Sequence, residues 1–148
     1  MTAGALRRRG ATLLDRAVPW ALLCLAFGLR MHRLGDKSVW WDEGLAIWAV
    51  RKPWVEATLW TAADVHPPLY FWSLWAWIRA VGESEFASRA LTAGFGTLIA
   101  ALAFVLARRV GGRWAGAIAL GFVAVARFEI WWSMELRMYA LAAVAVTA

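Results

Sequence analysis

Apolar runs separated by short charge-bearing joints organise this chain from one end to the other. Residues 17–29 form the first unbroken apolar run, with Arg7, Arg8 and Arg9 before it and Arg30 closing it. The run is shorter than the ~20 residues a span requires. Leu13 and Leu14 extend it backward past Asp15 and Arg16, whose side chains can reach the interface, giving a first span over about 13–31. A signal peptide shares the pattern of a basic start and a short apolar core, but Ala26-Phe27-Gly28 is a poor cleavage site. A retained span with a cytoplasmic N-terminus is therefore expected. Further apolar runs predict spans over about 69–81, 89–107 and 114–130. A last run, 138–148, is half a span, so the chain reads as truncated.

The joints differ in character. Residues 32–68 mix acids and bases with Trp40, Trp41, Trp48, Trp54 and Trp60. Such a segment cannot cross a bilayer, yet indole rings favour the headgroup level. Two interfacial helices, 43–52 and 54–63, are predicted there, divided by Pro53, which a continuous helix would not tolerate. The segment is thus an external loop lying on the membrane. Gly82-Glu83-Ser84-Glu85 reads as a polar hinge, and Arg108, Arg109, Gly111, Gly112 and Arg113 as a tight basic turn. Gly94 and Gly96 suit close helix packing. Strict alternation of spans puts the basic turn outside, whereas the positive-inside rule wants it inside; the two agree only if 69–81 does not cross.

Composition supports the membrane reading. Apolar residues make up 62% of the 148-residue chain and mean hydropathy is +0.56, beyond the roughly 45–50% apolar content of soluble domains. The net charge of +6 resides in clusters at the ends of apolar runs, which fits anionic lipid headgroups. No basic face suited to nucleic acid is visible, and none is expected as a partner. The single cysteine, Cys24, excludes an internal disulfide and a multi-cysteine metal site, and is expected to be a small buried hydrophobe. Leu23 before it does not fit a lipoprotein box.

Three clusters carry candidate chemistry. In Trp40-Trp41-Asp42-Glu43, two carboxylates at a low-dielectric boundary suit a general base, while Asp42 could equally serve as an N-cap. In His66-Pro67-Pro68-Leu69-Tyr70, the prolines start a helix and set His66 at its mouth, either as a phosphate contact or as an incidental turn histidine. In Glu135-Leu136-Arg137-Met138-Tyr139, helical spacing would put Glu135 and Tyr139 on one face with Arg137 elsewhere. These are functional groups or interfacial anchors at a helix end. No metal set or glycine-rich phosphate loop accompanies them, and no cofactor is expected, a divalent metal being left open.

Together with Gly82-Glu83-Ser84-Glu85-Phe86-Ala87-Ser88-Arg89-Ala90-Leu91, these motifs resemble, in order and distance, the N-terminal pattern of the dolichyl-phosphate-mannose protein mannosyltransferase family. The lipid A aminoarabinose transferases are bacterial relatives, and all share the GT-C membrane fold. The resemblance runs from about residue 15 to the end. It implies an all-α, polytopic membrane helix bundle, a polyprenyl-phosphate-linked sugar donor and an acceptor outside the cytoplasm. It assigns the acidic residue of the first external loop, Asp42 with Glu43 beside it, as the base. It puts His66 near the donor phosphate and Arg137 and Tyr139, with Glu135, on the active-site side. Family members have more spans than this chain, so activity of the chain alone is not expected. The competing expectations are a non-catalytic polytopic membrane protein or partner subunit, and a transporter fragment.

Overall fold

The computed structural model describes residues 13–64 and 66–148; the Arg7–Arg9 cluster, with the side chains of Asp15 and Arg16, lies outside the described residues. The described residues form seven helices and no strand. They are α1 (Leu13–Met31), α2 (Trp41–Arg51), α3 (Trp54–Ala63), α4 (Pro68–Val81), α5 (Glu85–Val125), α6 (Arg127–Ser133) and α7 (Tyr139–Thr147). Local chemistry explains most of the boundaries. Pro53 precedes α3 with φ −52°, and Pro68 occupies the first turn of α4, where its missing N–H costs nothing. Ser84 caps α5 by accepting from the Ala87 amide. Gly82, at φ +92°, turns the chain out of α4.

The span of α5 is divided. Gly112 has φ +78° and ψ −174°, a region open essentially to glycine alone. There the chain folds back, and a Cβ on Gly116 would lie 2.8 Å from the Phe104 carbonyl oxygen. Arms 85–111 and 113–125 therefore run side by side, with Arg108, Arg109 and Arg113 around the bend, as the basic turn predicted. α5 is the one helix among the described residues long and apolar enough to cross a membrane.

α1 lies along both arms. Ala26, Ala100, Leu120 and Ala124 form their shared core, with Leu22, Leu23, Phe104 and Val123 packed around it. At one end of this three-rod unit, Val18 and Pro19 share a small cleft with Arg113, Trp114 and Ala117. At the other end, Arg89 reaches the Leu34 carbonyl just beyond α1 (3.0 Å). The N-terminal end of α1 and the basic bend are thus together, and the start of α5 is opposite.

A second core joins Ala46, Ile47, Ala49, Val50, Tyr70, Phe71, Leu74 and Leu136. It places α2, α3 and α4 in one aromatic layer over the start of α5. Tyr70 Oη meets Thr92 Oγ1 at 3.2 Å, and Trp77 Nε1 donates to the Ala87 carbonyl at 2.7 Å. α4 therefore runs back along the first turns of α5.

Several expectations are corrected. α2 begins at Trp41, two residues earlier than predicted, so Asp42 is inside its first turn and not its cap; Trp40 holds the cap position without a side-chain bond. Residues 134–138 are not helical, so Glu135 and Tyr139 do not share a helix face. Cys24 is exposed on α1. Gly94 has open space around its Cα, whereas a Cβ on Gly96 would collide with Ser133 and lie 2.9 Å from Arg30 Nε.

Candidate functional site

Each acid of the Asp42-Glu43 pair sits in the first turn of α2 and turns to a different partner. Glu43 is 1% exposed and forms two hydrogen bonds with Arg89, from Nε at 2.9 Å and Nη2 at 2.6 Å. The remaining Arg89 donors go to the carbonyls of Leu34 (3.0 Å), Lys37 (2.7 Å) and Ser38 (3.2 Å). Glu43 Oε1 also accepts from the Leu136 amide at 3.2 Å. A buried pair in which every guanidinium N–H and both carboxylate oxygens are engaged ties four segments together: the 34–38 connector, α2, the start of α5 and the 134–138 link. In this arrangement Glu43 holds the walls of the site in place.

Asp42 faces outward from this knot and pairs with Arg137 through Oδ2 and Nη2. Both side chains keep partial solvent access, 30% and 21%. Arg137 Nε is buried without a hydrogen-bond partner. The guanidinium also lies 5.4 Å from the Trp40 ring centroid and 5.9 Å from that of Tyr139. Asp42, Arg137 and His66 line one small cavity of about 60 Å³, together with Tyr70 and Leu136. His66 Nδ1 is 2.8 Å from Asp64 Oδ2, and its ring meets Phe71 edge-on. Three motifs far apart in sequence thus converge.

The other two candidates lie around the rim. Glu135 lines a larger neighbouring cavity of about 350 Å³ with Lys37, Trp40, Trp131 and the Glu43–Arg89 pair. Burial pushes its carboxyl above the ordinary value of 4.5, and the Glu43 charge adds to the effect. Tyr139 opens α7 and stacks edge-on against Trp132 at 4.7 Å. It lines a third cavity with Glu129 and Ser133, away from Asp42.

Sequence reasoning missed two arginines. Arg89 was visible only as part of a motif, and Arg30 only as the end of a span. Arg30 is fully buried and donates to the carbonyls of Ala26 (3.0 Å), Val123 (3.1 Å) and Ala124 (3.4 Å). It satisfies the otherwise orphaned C-terminal carbonyls of α5. A cation beside small residues on a neighbouring run was the available signal: Gly96 leaves the space that this guanidinium occupies. Among the described residues no cluster of His, Cys, Asp or Glu could hold a metal ion. No family model, no curated protein and no solved structure matches this chain.

Proposed function

We propose that this chain is the catalytic-face portion of a membrane glycosyltransferase that moves a sugar from a polyprenyl phosphate to an acceptor outside the cytoplasm. The observation that carries the reading is the meeting of Asp42, Arg137 and His66 in one cavity. A carboxylate, a guanidinium and an imidazole together supply what such a transfer needs. The Asp42 carboxylate takes the proton of the acceptor hydroxyl. That oxygen attacks the anomeric carbon from the face opposite the phosphate and inverts it. The carbon–oxygen bond to the phosphate breaks, and the polyprenyl phosphate leaves with the electron pair. Arg137, whose Nε is unspent, and His66 stabilise the charge that develops on the leaving oxygen.

The membrane setting is part of the proposal. The arms of α5 and the outer face of α1 expose Phe27, Leu98, Val110, Ile118 and Phe122, an apolar belt suited to lipid. The aromatic layer of α2–α4 lies at the end of the bundle opposite the basic bend. If α1 and both arms cross and α4 does not, strict alternation puts the bend on the same side as the N-terminus. The arginines of the bend then obey the positive-inside rule. The site is extracytoplasmic in this topology.

One observation favours a non-catalytic partner protein: Asp42 already has an ionic partner, as structural carboxylates do. A transporter is less well supported, because no ionisable residue lies between Arg89 and Arg108 of α5. The deciding experiment is sugar transfer from a labelled polyprenyl-phosphate donor by membranes carrying the intact product of the gene. With Asp42→Asn, turnover is expected to fall ~10²–10⁴-fold with little change in melting temperature. Near-normal turnover would leave Asp42 as a structural ion-pair partner.

A further inference from the structure

The 350 Å³ cavity beside the proposed base takes no part in the transfer steps above, and its lining has a distinct chemistry. Most of its charges are already committed. Arg89 and Glu43 saturate each other, and Arg33 is held by Asp36. Two groups of opposite sign remain, the Lys37 ammonium and the Glu135 carboxyl. Among the described residues Lys37 makes no ion pair; its Nζ stands 4.4 Å from the centroid of the Trp131 ring. Trp131 and Glu135 line the same cavity. Trp40, 46% exposed, forms another wall.

A balanced pair of charges gives no excess field for a phosphate or any other anion. Indole walls favour a flat apolar face. An ammonium that only donates and a carboxyl that accepts favour a rim of hydroxyls able to do both. The volume is at the small end for ligand pockets, which run from roughly 300 to 1,000 Å³. An uncharged ring with C–H faces and a hydroxyl edge satisfies all of these conditions.

We propose that this cavity binds a single sugar ring, stacked on the indoles of Trp40 and Trp131, with its hydroxyls held by Lys37 and Glu135. The proposal rests on the transferase reading for its choice of ligand, and it adds a sugar-binding subsite one indole away from Asp42. The ring belongs either to the lipid-linked donor or to a glycan acceptor, and the two sources share this chemistry.

The test is saturation-transfer NMR on the purified protein in detergent, with a panel of methyl hexopyranosides and a short-chain polyprenyl-phosphate hexose as separate probes. Saturation of ring protons is expected for at least one probe. Binding of a methyl glycoside alone points to the acceptor, and binding that requires the phospholipid-linked sugar points to the donor. Lys37 is exposed, so Lys37→Gln leaves the fold intact; it is expected to weaken binding roughly 10–100-fold, as loss of a hydrogen bond to a charged group does. Trp131→Ala is expected to weaken it further, and Lys37→Arg to retain most of it. No saturation with any probe, or affinity unchanged in both Lys37→Gln and Trp131→Ala, overturns the proposal. The two readings fail separately. Sugar binding that persists in Asp42→Asn, without any transfer by membranes carrying the intact wild-type product of the gene, upholds the cavity and sinks the transferase. Transfer at wild-type KM by Lys37→Gln and Trp131→Ala sinks the cavity alone.

Discussion

Two acids that line the same cavity, Glu43 and Glu135, do opposite things to stability. Glu43 is buried with every oxygen engaged, so Glu43→Gln leaves Arg89 an uncompensated buried charge and is expected to cost about 3–5 kcal/mol. Glu135 is half-buried, and its carboxyl is held above the ordinary 4.5 by burial and by the Glu43 charge. The folded protein therefore binds that proton more tightly than the unfolded chain does. Its contribution to stability is fully present below 4.5 and is lost as pH rises through the folded value. Glu135→Gln is expected to raise the melting temperature near neutral pH and to give no gain well below pH 4.5; thermal unfolding at the two pH values checks both. Asp42 and His66 were legible in the sequence as unusual residues at helix starts, and Arg137 as a charged residue at a helix end. That Arg137 would seek Asp42, or that Arg89 would seek Glu43, was not, because an arginine at the end of an apolar run looks the same whether it faces water or a buried carboxylate.

Among the elements, breaks made by covalent chemistry were readable and breaks made by tertiary partners were not. Pro53, Pro68 and the Gly111-Gly112 pair act through their own backbones, and helix ends fall where those residues demand. The link at 134–138 is the opposite case. In a continuous helix the Leu136 amide would bond the carbonyl four residues back, but here it donates to Glu43 Oε1, 93 positions away. A helix predicted from local spacing ends there because a distant carboxylate offers the amide another partner. Two glycines test this level. Gly112→Ala places a Cβ in a glycine-only region and is expected to cost about 1–3 kcal/mol. Gly96→Ala forces Ser133 and Arg30 apart and is expected to cost a similar ~1–3 kcal/mol. Gly94→Ala, in open space, is the control and is expected to be neutral or slightly stabilising. Chemical denaturation midpoints of the three variants separate backbone strain and crowding from mere helix propensity.

For the whole molecule, two opposed ends are the organising fact: the basic bend with the start of α1 at one, the aromatic layer and the paired acids at the other. The topology proposed above turns this into a labelling pattern. On a Cys24→Ser background, Ser38→Cys is expected to react with an impermeant thiol reagent added from outside. Thr2→Cys and Gly111→Cys are expected to stay unlabelled until the membrane is opened. Labelling of Gly111→Cys from outside would reverse the arms and put the arginines on the wrong side. Helical content and the order of apolar runs were legible from composition and pattern, because lipid-suited surface is a property of each run by itself. How the runs pack was not, since α1 meets both arms of α5 through small residues such as Ala26, Ala100 and Ala124, which carry no signal of their own.

The pairing of Asp42 with Arg137 also sets an order in time. The two residues are 95 positions apart, so a ribosome adding ~5–20 residues per second finishes the acid roughly 5–20 s before its partner exists. Arg89 emerges about midway and can already fasten Glu43, the connector and α5. Most of that knot can therefore form first, with the Leu136 amide and the Asp42–Arg137 pair added last. A chain interrupted before Arg137 would hold its helices together and present an unpaired Asp42.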